Sequence, residues 1–201
     1  IPQLEMAVRA GVPETRAWKL LQPVIGREGD SSWNLRVLQI AEAIEIPLMT
    51  VHSPADSCLD ELVETQVAKE KPETAGELVE LIEAWPECQR LIGKVRHGPH
   101  IDAGDGKAPL GKIYRCLYGG WNPTPELFEE LCKAGVGTFV VVASTAQFRE
   151  LAGKYGANVV VIPHYPADNA GINIMLDRIM PAGDRFEIVE ASNYVRCRRD
   201  C

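Results

Sequence analysis

The chain has 201 residues, 46% hydrophobic and 24% charged, with 17 Gly and 14 Pro, a composition that excludes a disordered or fibrous protein. Its net charge of −7 argues against a surface built to displace counterions from nucleic acid. The longest apolar stretches, such as Phe139 to Ala143 and Val159 to Pro163, fall far below the roughly 18–20 residues that span a bilayer.

From Pro2 to Leu21 apolar residues recur at helical spacing, interrupted at Gly11-Val12-Pro13, which predicts two short helices. Ser31 to Asn34 offer caps for a helix from about Leu35 to Ala43. Ile46 to Val51, apolar and partly β-branched, reads as a buried strand. Helices follow over Cys58 to Lys69, with Leu59, Leu62, Val63 and Val67 on one face, and over Glu73 to Glu83. Between Trp85 and Gly111 the pattern weakens into a Gly- and Pro-marked connection. Next come a strand (Lys112 to Tyr118), a helix (Thr124 to Ala134), a strand (Thr138 to Ala143), a helix (Ala146 to Tyr155), a strand (Val159 to Ile162), a helix (Ala170 to Met180) and a candidate last strand (Phe186 to Val189).

Helix-length crossovers between apolar strands predict an α/β fold, with mixed or largely parallel sheets flanked by helices. The division expected is a first half over 1–84, a loop-rich connection over 85–111 and a second half over 112–201.

One motif occurs twice: His52-Ser53-Pro54-Ala55-Asp56 and His164-Tyr165-Pro166-Ala167-Asp168, four identities repeated 112 residues apart. Each copy follows a predicted strand and precedes a helix, the position where open α/β sheets put ligands. Neutral imidazole and carboxylate together suit a divalent cation such as Zn, Mn or Fe. Such an ion activates water and clamps a phosphate. Taken singly, either copy is explained as well by a turn with an aspartate N-cap; the repetition in matched settings favours a metal or catalytic site.

Val51 to Asp56 and the stretch Asn158 to Asp177 resemble the NIF-three-like family of dinuclear-metal proteins, some of which carry the name GTP cyclohydrolase 1 type 2. Gly111-Lys112-Ile113 through Gly119-Gly120 and the helix from Thr124 share the resemblance. It implies that Asp56, His164 and Asp168 bind metal, one or two divalent ions per subunit. By the same likeness His52 stands beside the metals as ligand, proton shuttle or substrate contact. The family's adjacent His-His pair upstream of the first motif is missing, since the four histidines are His52, His97, His100 and His164. With the start at Ile1, this makes an N-terminally truncated or divergent member the expectation. The resemblance further implies α/β halves in a toroidal hexamer and a nucleotide or other phosphorylated metabolite as substrate, handled by a metal-dependent hydrolase. A non-catalytic metal-binding scaffold or regulatory oligomer is the alternative.

His97, His100, Asp102 and Asp105 offer a second cluster, for which a polar loop is the preferred reading because Gly and Asp favour turns. Gly119-Gly120 before the Thr124 helix is a weak phosphate-cradle signal. Cys58, Cys88, Cys116, Cys132, Cys197 and Cys201 lack the spacings of a zinc ribbon or redox dithiol, which fits reduced thiols and a cytoplasmic location. No secretory signal is recognisable at the start. The basic run Arg196, Arg198 and Arg199 reads as a solvated tail.

Overall fold

Along the central strands, alternate side chains enter two different cores: Phe139 and Val141 one, Val140 and Val142 the other, and likewise Val159 and Val161 against Val160 and Ile162. A period of two with both faces apolar is what a sheet covered on both sides requires. The computed structural model describes residues 2–25, 32–94, 97–118, 122–180, 187–190 and 193–199. Its sheet has four strands, β1 (His100–Ala103), β2 (Lys112–Cys116), β3 (Val136–Val141) and β4 (Asn158–Val161), in the order β1-β4-β3-β2. β2, β3 and β4 run parallel, and β1 pairs antiparallel with β4 at the edge.

The parallel strands are joined through helices α7 (Pro125–Lys133) and α8 (Ala146–Tyr155). Thr124 and Thr145 cap these helices, their hydroxyl oxygens accepting from Leu127 N at 3.3 Å and Phe148 N at 3.2 Å. Together with α1 (Pro2–Ala10) and α2 (Glu14–Ile25), α7 and α8 cover one face. There Phe128 stacks on Phe139 at 4.2 Å and meets Phe148 edge-on. Each fully buried ring of this kind contributes about 1.5–3 kcal/mol by burial alone. The opposite face is covered by α4 (His52–Glu70), α5 (Ala75–Glu83), α6 (Pro86–Leu91) and α9 (His164–Ile179). The molecule is a mostly parallel sheet between two helical layers, as its periodicity predicts.

Four expectations are corrected. Residues 46–51 are not a strand, and α3 (Ser32–Ala43) leads into an extended segment in which Ile46, Leu48 and Met49 are exposed. An apolar run becomes a strand only beside another strand's free edge, and no described strand lies next to this one. The connection over 85–111 contains α6 and β1; four residues at a sheet edge, half-buried throughout, are too few to show a period. Residues 187–189 are not in a strand, and Phe186 lies outside the described residues.

The basic C-terminal run is a strap, not a solvated tail. Asn169, Asn173 and Asp177, one helical turn apart on α9, receive residues 193–199. Asn169 Oδ1 accepts from Val195 N at 2.6 Å, Asn173 Nδ2 donates to Val195 O at 3.0 Å, and Asp177 Oδ2 accepts from Arg199 N at 2.8 Å. Arg196 pairs with Asp177, and Arg199 with Glu87, which is fully buried and also accepts from Asn173 Nδ2 at 2.9 Å. Only Arg198 of the three is exposed. Cationic side chains cannot be recognised as buried from sequence when their anionic partners lie 19 and 112 residues away.

Candidate functional site

Both copies of the repeated motif form the first turn and a half of a helix, α4 from His52 and α9 from His164. The aspartates are therefore not N-caps, as Val51 and Pro163 occupy those positions without side-chain caps. Residues four apart share a helix face, and His52 Nε2 stands 3.6 Å from Asp56 Oδ2. Asp56 is buried while His52 is exposed.

The two helices pack directly on one another, and small residues permit it. Ala55, Ala167 and Ala170 are buried in the contact region. At Gly171 the helices come so close that a Cβ there would lie 2.3 Å from the Ala55 carbonyl oxygen. Ala55 belongs to the first motif, and Gly171 lies one turn beyond the second, so the contact packs the two motif-bearing helices together within one chain. Arg115 on β2 sets α4 from the other side, donating to Asp60 Oδ1 at 2.7 Å, Asp60 Oδ2 at 3.2 Å and Glu64 Oε2 at 3.1 Å, the bidentate geometry that makes arginine pairs directional. The Asn169 contacts of the C-terminal strap hold the motif turn of α9.

Asp168 is half-buried, and no group among the described residues donates a hydrogen bond to it. Burial raises its carboxyl above the usual range, opposed by the charges of His164 and His52. A half-buried carboxylate without donors and flanked by imidazoles is the right chemistry for a divalent cation. As the side chains stand, no group of three or more His, Cys, Asp or Glu among the described residues is placed to hold one. His52 and His164 are exposed, whereas Asp56 is buried and Asp168 half-buried.

His164 and Asp168 open into a cleft of about 670 Å³, within the usual range for small-ligand sites. It lies at the carboxyl ends of β3 and β4, and its apolar floor is Val142, Val161 and Pro163. His100, the first residue of the antiparallel β1, is in register with Val161, the last of β4, which brings β1's start to the same end of the sheet. His97, His100 and Lys94 thereby line the cleft opposite α9. The polar-loop reading therefore holds for only half of that cluster. Asp102 instead pairs with Arg149 at 3.1 Å and Asp105 accepts from Lys107 N at 3.0 Å. The spacing His97-Gly98-Pro99-His100 was the signal; β1's register gave it meaning. Gly119-Gly120 lies outside the described residues.

The fold is similar to that of a NIF3 superfamily protein from Sphaerobacter thermophilus, with a TM-score of 0.68 at 18% identity over 90% of this chain and 68% of that one. The chain has the NIF3-like fold. No family model matches it, and no curated protein matches its sequence. Among the described residues, no helix is long and apolar enough to cross a membrane.

Proposed function

We propose that the junction of the two repeated motifs binds a divalent metal ion, Zn, Fe or Mn, and that the protein is a cytoplasmic metal-dependent hydrolase acting on a nucleotide or other phosphorylated metabolite. Asp56, His164 and Asp168 would hold one or two ions, and a bound ion would supply Lewis-acid activation and neutralise phosphate charge. His52, one turn from the buried Asp56 and exposed to solvent, would carry a proton to or from the reacting group. The observation that supports the reading is the Gly171–Ala55 approach, which packs the helix opening on one His/Asp pair against the helix opening on the other. An adjoining cleft large enough for a small molecule adds to it.

A non-catalytic metal-binding oligomer is the second reading. Elemental analysis of the purified protein should find a divalent metal, and His164→Ala and Asp168→Ala should each lower its occupancy. Unchanged occupancy in both variants would remove the site assignment. Metal-dependent turnover across a panel of nucleotides and phosphoesters separates the enzyme from the scaffold, and bound metal without any turnover selects the scaffold.

A further inference from the structure

The wall of the cleft facing α9 carries three nitrogen-bearing side chains that the metal reading does not use. Lys94 presents an ammonium, and His97 and His100 stand edge to face, with ring centroids 6.0 Å apart and planes at 63°. His100 Nδ1 lies 2.8 Å from the Gly98 carbonyl oxygen. A carbonyl only accepts, so Nδ1 carries a hydrogen; a bound anion draws the ring to its imidazolium form, in which Nε2–H donates as well. Opposite, α9 begins at a proline without a side-chain cap, so the positive end of a 16-residue helix faces the same space. Asp168 is the sole carboxylate among the lining residues.

We propose that Lys94, His97 and His100 bind the phosphoryl group of a phosphomonoester whose organic part lies over Val142, Val161 and Tyr165. Two imidazole rings whose planes differ by 63° suit a tetrahedral oxyanion, whereas a planar carboxylate is best met by coplanar, paired donors. A compact ammonium is a natural phosphate partner. The apolar floor and the Tyr165 ring give a non-polar ligand body surface to cover, and the cleft has room for both parts. This inference rests on the proposed metal reading only for what stands across the cleft, since the wall contains none of the proposed metal ligands.

The test titrates phenyl phosphate, inorganic phosphate and benzoate into the full chain, with and without EDTA, following heat and the imidazole proton resonances. Phenyl phosphate should bind at least about tenfold more tightly than benzoate, a difference of about 1.4 kcal/mol, and perturb the His97 and His100 signals. Lys94→Ala, an exposed and structurally mild change, and His97→Gln with His100→Gln should each weaken phenyl phosphate binding by about tenfold or more while leaving metal content unchanged. Equal binding of benzoate and phenyl phosphate, or undiminished binding in both variants, overturns the proposal. Phenyl phosphate binding through the wall in a protein that takes up no metal would leave this inference standing and remove the metal reading.

Discussion

Replacing Gly171 by alanine adds a methyl group where the contact between α4 and α9 has no space for one. Its Cβ would sit 2.3 Å from the Ala55 carbonyl oxygen and 2.9 Å from the Ala55 carbonyl carbon, about 1 Å inside van der Waals contact. Both are backbone atoms, so no rotamer change relieves the clash and the helices must separate. Overpacking of this kind costs about 1–3 kcal/mol, against a gain of about 1 kcal/mol from alanine's helix propensity. The net expectation is a loss of up to about 2 kcal/mol, or a melting temperature lower by up to about 8 °C for a chain of this length. Gly153 in α8 is the control, because its Cβ would meet nothing within 4 Å; Gly153→Ala should stabilise by about 0.5–1 kcal/mol. Urea unfolding of both variants, with metal content measured alongside, reads the outcome. On the proposed metal site, Gly171→Ala should also lower metal content, since it separates the helices that carry Asp56 and Asp168. Stabilisation of both variants alike, with metal content intact, would refute the claim that this close approach assembles the site.

Arg199→Ala leaves Glu87 buried without its guanidinium and should cost about 3–5 kcal/mol. The double change Arg199→Met with Glu87→Leu should recover most of that in denaturant unfolding, and no recovery would count against the buried pair as the cause. Burial works to raise the Asp177 carboxyl, but hydrogen bonds from Arg196 and the Arg199 backbone outweigh it and hold the group below its ordinary 3.8. Its contribution is thus complete above the unfolded value and fades as pH falls through the lower folded one. Asp177→Asn should flatten the loss of stability on acidification below about pH 4, and an unaltered acid limb would exclude the strap as its source. Burial pushes the thiol of Cys88 up to about 12 and that of Cys132 up to about 11. Both should label slowly at pH 8 until the chain unfolds, and native-state labelling at the unfolded rate would contradict their burial.

The parts readable from sequence are those with local causes. The doubled valine pattern of β3 and β4, the threonine caps of α7 and α8 and the Gly11-Pro13 break each state their structure within a few residues. They define an α/β chain, and the second motif falls at the end of β4 as expected. Residues 46–51 failed as a strand because strand formation is a property of a pair, and Arg196 and Arg199 escaped notice because burial of a charge depends on a distant partner.

The sequence by itself determined most helices and the parallel strands, the class of fold and the duplication of His-x-Pro-Ala-Asp, whose residue types offer imidazole and carboxylate. Only the tertiary structure decided that the two motif-bearing helices pack together within one chain, through a glycine whose missing side chain lets them touch. It alone decided that His97 and His100 share their cleft with His164, because the register of an antiparallel edge strand is a long-range pairing with no local signature.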